Sequence, residues 1–330
     1  VVDTQIMCDT AVIIGKELSN YSFGDKHPLN FSRLDAFWSK LGQSVAFDSG
    51  NLKLLSPVLA DESTISSFHD KDYINFVKKS SITGFGYLDS GDTPCFKGVF
   101  EASLYVVGST LLALDTVINK TNGIAHAFNP IGGLHHARRN AAGGFCVFND
   151  IGIAIMYARR KYNLKKILYV DIDAHHGDGV YYEFEQDPDV IIADIHEDGS
   201  FLYPGTGFES ENGLGSGKGT KLNLPLHPGA TDHDFNSAFM KIENFISSMK
   251  FELIILQCGA DGLSGDPLTH LRYTEKSHEY AAEVLHRIAH ESSHGRIIGL
   301  GGGGYNTQNL ANAWNKIVEV FASGHSIMKK

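Results

Sequence analysis

Residues 167–179 read Ile-Leu-Tyr-Val-Asp-Ile-Asp-Ala-His-His-Gly-Asp-Gly. A short apolar run, Ile167 to Val170, leads straight into two aspartates, two histidines and a third aspartate. A continuous apolar run of this length fits a strand buried on both faces, as in a parallel sheet. Open α/β sheets bind ligands beyond the carboxyl ends of their strands, and the ionisable groups begin where this strand ends. On an extended chain Asp171, Asp173 and His175 share one face, spaced roughly 6.6 Å apart at about 3.3 Å per residue. Oxygen and nitrogen donors on one face can converge on a metal ion. The structural alternative is a hydrogen-bonded polar cap. Five ionisable groups among the eight residues 171–178 would be costly to desolvate without a positive charge between them. The metal is the better reading.

Outward from this stretch, strand-like runs recur at 11–15, 124–128, 190–195, 253–258 and 296–300. Helical periodicity covers about 30–41, 61–79 with a short break, 98–119, 149–162, 232–249, 274–291 and 308–322. Asn149 or Asp150 is placed to cap the helix at 149. Segments 80–96, 129–144, 259–266 and 301–306, with a Gly-rich stretch running to Gly219, read as loops. Strands alternating with helices argue for a mostly parallel sheet covered on both faces. With no internal repeat, low-complexity tract or linker, residues 1–330 read as a single domain.

Composition narrows the function. Of the 330 residues 42% are hydrophobic and 20% charged, the balance of a globular protein. A formal net charge of −10 argues against direct nucleic-acid binding or an anionic membrane surface, which need clustered Lys and Arg. It suits a basic peptide or amine, although surface charge of this size commonly serves solubility. Cys8, Cys95, Cys146 and Cys258 are scattered with no C-x-x-C spacing. That fits a reducing, cytoplasmic setting and argues against a thiolate zinc site. No stretch reaches the ~18 consecutive apolar residues of a membrane span. The opening VVDTQIMCDTAVIIG lacks a basic n-region and reads as a strand rather than a signal peptide.

Four loops that follow predicted strands carry unusual residues: His135-His136, Asp171 to Asp178, Asp261 within Gly-Ala-Asp-Gly, and Tyr305 after four glycines. A parallel sheet brings all four to one edge. Catalytic zinc keeps three protein ligands and an open position, and Asp173, His175 and Asp261 are the best three. This oxygen-rich set suits Zn²⁺ or Fe²⁺, and one metal rather than two. His135 and His136 are either a structural pair bonded to backbone carbonyls or an acid/base pair oriented by Asp171 and Asp178. Residues 301–304 could cradle a phosphate, but no P-loop lysine follows. Tyr305 reads instead as a donor to developing oxyanion charge.

At these residues the chain resembles the histone deacetylase family, including its acetoin-utilisation-type members. The matching stretches are GGLHHARR (132–139), GGFCVFND (143–150), DIDAHHGDGV (171–180), YPGTG (203–207), QCGADGLSGD (257–266) and GGGGYN (301–306), with weaker matches at HPLNFSR (27–33) and GDTP (91–94). The resemblance implies an arginase-like three-layer α/β/α fold with a central eight-stranded, mostly parallel sheet. It implies Asp173, His175 and Asp261 as metal ligands, and His135 paired with Asp171. It also pairs His136, the main general base and acid, with Asp178, and makes Tyr305 the tyrosine that polarises the amide carbonyl. Gly144, Phe145 and Tyr203 would line the lysine tunnel, Asp92 would grip substrate amides at its rim, and Leu268 would lie at its mouth. Arg33 matches an internal-channel arginine linked to acetate release. Two departures stand out. Tyr203 replaces a common Phe, and Asp194 replaces a common Ser at a monovalent cation (K⁺) site that would also draw on Asp171, Asp173, His175 and Ile195.

The resulting expectation is hydrolysis of an acyl, chiefly acetyl, amide on lysine in a peptide or protein, releasing acetate and a free amine. Small acetylated amines such as acetylpolyamines are a second substrate class. A non-catalytic acyl-lysine binder of the same fold is the third reading, but it predicts a missing ligand or Tyr, and none is missing. His176 is left without a catalytic task and is assigned to the structure around the site.

Overall fold

The computed structural model describes residues 10–323; the opening segment 1–9, with Cys8, lies outside the described residues. Ile167–Asp171 does form a fully buried strand, the sixth in an eight-stranded sheet. In chain order the strands are β1 (Thr10–Ile13), β2 (Leu52–Leu55), β3 (His126–Asn129), β4 (Ile167–Asp171), β5 (Val190–Glu197), β6 (Lys221–Leu226), β7 (Leu253–Gln257) and β8 (Ile297–Leu300). Their spatial order is β2-β1-β3-β8-β7-β4-β5-β6. Every neighbouring pair is parallel, so the sheet is wholly rather than mostly parallel.

The helices are α1 (Lys16–Ser19), α2 (Ser32–Leu41), α3 (Val45–Asp48), α4 (Glu62–Ile65), α5 (Lys71–Thr83), α6 (Val99–Ile118), α7 (Asp150–Tyr162), α8 (Asp178–Phe184), α9 (Asp232–Ile246), α10 (Glu275–Ser292) and α11 (Thr307–Ala322). One layer joins α5, α6 and α7; the other runs α2, α11, α10, α9. The sheet lies between them, giving the α/β/α sandwich. Helix α6 is long and apolar enough to cross a membrane by length and composition, but 78% of its apolar window is buried inside the fold. It is a core helix.

Two strands and three helices escaped the sequence reading: β2, β6, α1, α3 and α8. Strands β2 and β6 are the sheet's two edges. Their sequences, LKLL and KLNLPL, have no continuous apolar run, because an edge strand is only partly covered and tolerates Lys and Pro. Helix α8 is seven residues long and begins with a buried aspartate, so its polar start hides its periodicity; α1 and α3 are four residues each, too short to show one. Helix α5 extends to Thr83, into the expected loop, and stops where Gly84 adopts φ 65° at its C-cap.

Helix α10 braces the site loops from behind. His278 is fully buried, and its Nε2 lies 2.8 Å from the Gly259 carbonyl, to which it donates as a neutral imidazole. Its Nδ1 has no hydrogen-bond partner among the described residues, so protonation would bury a charge and an unmet N–H. Burial accordingly holds its pKa down to about 4. Below the unfolded value of about 6.5 the unfolded chain binds the proton and the native chain does not, so stability falls as pH falls. His278 should account for about 3 kcal/mol of stability lost between pH 7 and pH 4. Urea unfolding at the two pH values checks this: His278→Gln should show a correspondingly smaller loss, and an unchanged pH dependence would refute it.

Candidate active site

Because all eight strands run the same way, the loops after β3, β4, β7 and β8 meet at one edge of the sheet. The chain leaves its extended conformation at Asp171, so strand alternation does not align Asp173 and His175. Two successive turns do. The Asp171 carboxylate accepts from the Asp173 N–H (3.0 Å), and Asp173 accepts from the His175 N–H (3.0 Å). Each is an aspartate folding the backbone two residues ahead.

Asp261, in the loop after β7, accepts from the Ala174 N–H at 2.8 Å through Oδ1. Asp173 Oδ2 accepts from Gln257 Nε2 and from the Gly303 N–H, both at 2.8 Å. The other oxygens, Asp173 Oδ1 and Asp261 Oδ2, lie 3.0 and 3.1 Å from His175 Nδ1. One donor atom from each of the three residues lies within 4.8 Å of the others. Burial opposes charge on His175, yet Asp261 and Asp173 raise its proton affinity well above that of free imidazole, so positive charge is drawn to this point. Gly303 keeps the approach clear, since a Cβ there would stand 2.1 Å from Asp261 Oδ2 and 2.8 Å from Asp173 Oδ2. Two buried carboxylates and one imidazole fit a divalent ion of the zinc or ferrous type.

Beside this cluster stand two histidine–aspartate pairs, as expected. His135 Nδ1 is 2.8 Å from Asp171 Oδ2, and His136 Nδ1 is 2.7 Å from Asp178 Oδ1. Both rings are buried, and their Nε2 atoms are 3.0 Å apart. The reading of the histidines as a pair held by backbone carbonyls is therefore set aside. Burial, then the neighbouring His135, lowers the His136 pKa to about 4, so His136 is a free base at neutral pH. Burial raises Asp178, but His136 and Arg138 outweigh it and hold the carboxylate at about 2.

Tyr305 projects from the glycine run with its N–H held by Asp266 Oδ2 at 2.7 Å. Burial, then Asp261, pushes its phenol well above the usual range, keeping it a proton-bearing donor. Arg33 is buried, and Nε donates to the Gly304 carbonyl at 2.8 Å while a terminal nitrogen donates to Gly302. Its guanidinium lies 5.6 Å from the Tyr305 ring centroid and 5.3 Å from that of Trp314. Arg33 thus fixes the loop that presents Tyr305.

His135, His136, Asp173, His175 and Tyr305 open into a cavity of about 220 Å³, which Asp92, Gly144, Phe145, Tyr203 and Leu268 also line. Phe145 packs edge-on against Tyr305 at 5.7 Å, and Tyr203 against His136 at 5.1 Å. Gly144 has φ 50°, and a Cβ there would fall 2.3 Å from His136 Cδ2, so only glycine lets the wall approach the base. Asp92 is exposed at the rim.

Asp194 pairs across the strand register with Asp171, and its own carboxylate is engaged. Oδ1 lies 2.6 Å from His196 Nδ1, and Oδ2 accepts from the Gly177 N–H at 2.9 Å. Ile195 is buried beside it in β5. His176 turns away from the cluster to Thr206 Oγ1, 2.9 Å away. Sequence reasoning missed Arg138, whose guanidinium donates to Asp178 Oδ2 at 2.8 Å. It also missed Asp150, which accepts from the Gly133 and Leu134 N–H groups, at 3.0 and 2.8 Å, just before the histidines. Both lie inside quoted motifs, where only their long-range partners distinguish them.

The family model for the histone deacetylase domain matches residues 27–321. Among relatives, the chain is 39% identical over 320 residues to the acetoin utilization protein AcuC of Bacillus subtilis, covering 94% of this chain and 81% of that protein. It is 34% identical over 321 residues to AcuC of Staphylococcus xylosus, covering 93% and 81%. Among solved structures, the crystal structure of the HDA15 HD domain superposes with a TM-score of 0.86 at 26% identity, covering 96% of this chain and 90% of that one. The matched span takes in every residue of the site just described, and the chain belongs to the histone deacetylase family.

Proposed function

We propose that the protein is a metal-dependent deacetylase that hydrolyses the acetyl amide of lysine side chains. The observation that carries this reading is a buried Asp₂His cluster beside a histidine–aspartate base and a tyrosine donor, all facing one narrow cavity. Family membership supports deacetylase chemistry. The metal and the lysine substrate are the added steps.

Asp173, His175 and Asp261 would hold Zn²⁺ or Fe²⁺, whose chemistry is to polarise the acyl carbonyl and acidify a water. His136 Nε2 faces the cavity as a free base and takes the water's proton, while Asp178 fixes the ring through Nδ1. The same imidazole then delivers a proton to the departing amine. His135, held by Asp171, stabilises the charge that forms on its neighbour. The Tyr305 hydroxyl donates to the carbonyl oxygen as it becomes an oxyanion. Phe145 and Tyr203 give aromatic walls for an apolar four-carbon stem, and the exposed Asp92 accepts amide N–H groups of a peptide backbone. Leu268 at the mouth carries no charge to select a second ammonium group, which favours acetyl-lysine over an acetylpolyamine. A cytoplasmic setting fits Cys95, Cys146 and Cys258, which are free thiols.

A panel of acetyl-lysine peptides, longer acyl-lysine peptides and acetylpolyamines, assayed with Zn²⁺, Fe²⁺ or Co²⁺, tests the reading. Acetate release from acetyl-lysine peptides should dominate. Hydrolysis of none of them would sink the assignment, and preference for the polyamines would replace the substrate. Tyr305→Phe should fold and bind metal yet lose about 10²–10³ in turnover, the usual cost of one oxyanion donor. Near-parental turnover in steady-state assays would remove Tyr305 from the mechanism.

A further inference from the structure

Three imidazoles converge at the opposite edge of the sheet, away from the deacetylase site. His126 opens β3, where its register partners are Thr10 and Ile297. His286 and His290 stand four residues apart on α10 and so share a helix face. His290 Nε2 lies 3.1 Å from His126 Nε2 and 3.1 Å from His286 Nε2. The rings meet edge to face, with centroids 4.6 to 5.1 Å apart.

As simple hydrogen bonds the two short contacts compete for a single site on His290 Nε2. An imidazole nitrogen presents in its ring plane either one N–H or one lone pair. His290 Nε2 therefore cannot donate to one neighbour while accepting from the other. A cation ligated by all three lone pairs resolves the conflict. At zinc–nitrogen distances of 2.0–2.1 Å, tetrahedral geometry sets ligand nitrogens about 3.3 Å apart, close to the spacing seen. The three donor atoms all lie within 4.8 Å of one another. His126 and His286 are buried, and the Phe321 ring from α11 lies 5.8 and 6.3 Å from theirs. That gives the cluster an apolar flank.

We propose that His126, His286 and His290 form a second, structural metal site for Zn²⁺ or a similar borderline transition ion, tying the start of β3 to the C-terminal half of α10. All-imidazole ligation selects such ions over Mg²⁺ or Ca²⁺, which prefer oxygen. Among the described residues three protein ligands converge, which leaves a fourth tetrahedral position to a further donor. The site is chemically distinct from the oxygen-rich Asp173–His175–Asp261 set.

Equilibrium dialysis of the chelator-stripped full chain against Zn²⁺, with elemental counting, tests the proposal. The parent should take up two equivalents, His290→Ala one, and Asp261→Asn one. The equivalent kept by Asp261→Asn should bind at least about 100-fold more weakly once His290→Ala is added, since even partners of metal ligands cost 10–100-fold. His290 is only half-buried, so its truncation should fold, as far-UV circular dichroism will check. If it does not fold, Asp261→Asn alone still decides. Uptake of no ion by Asp261→Asn, or equal uptake by His290→Ala and the parent, would overturn the second site. Because His290 lies far from the acetyl-lysine pocket, metal counting separates this outcome from any failure of the deacetylase reading.

Discussion

Buried negative charge at the carboxyl edge of the sheet is the constraint on which the site depends. Asp171, Asp173, Asp178, Asp194 and Asp261 are all buried, and a carboxylate there survives only with compensation close by. Each has a particular answer. Asp171 faces His135 and the Tyr169 hydroxyl, Asp178 faces His136 and Arg138, and Asp194 faces His196. Asp173 and Asp261 share His175 and leave a common point of negative potential. The surrounding glycines follow from the same crowding, because at Gly303 and Gly144 a side chain would occupy the space of the carboxylates or the base.

The fold frames this crowding without creating it. A parallel sheet gathers the ends of distant strands, so groups from residues 135 to 305 meet although the chain between them is long. Asp173 and Asp261 sit past strand ends, where the ladder no longer uses their backbone, while Asp171 closes β4 and Asp178 opens α8. At Asp261 a backbone N–H fixes one oxygen and leaves the other facing His175, whereas both oxygens of Asp173 accept N–H groups.

Much of this was legible in the sequence. The six strands found there, at residues 11, 124, 167, 190, 253 and 296, are the six inner ones, whose apolar runs record burial on both faces. The edges β2 and β6 left no such record. Asp173, His175 and Asp261 were readable because ionisable residues after a buried strand are conspicuous; the unassigned aspartates suggested partners for the histidines, but which pairs with which came from the resemblance. The reason given for their convergence was wrong in detail, since turns rather than strand alternation align them. Arg138 and Asp150 were illegible as supports of the site, because nothing local marks a partner reached across 16 to 40 positions. His286 and His290 carried a local signal, the four-residue spacing on a helix, but His126 completes the cluster only through the sheet.

Asp178 has a consequence for how strong a base the site can contain. Its charge is divided between an imidazole and a guanidinium, so it lends His136 less proton affinity than an unshared carboxylate would. Burial and the neighbouring His135 already hold His136 down to about 4, so the imidazole stays unprotonated far into the acid range. Brønsted behaviour makes such a base effective only toward a donor that has already been acidified. In the proposed mechanism Arg138, which donates to the far oxygen of Asp178, would add to that effect by drawing on the charge that faces the imidazole.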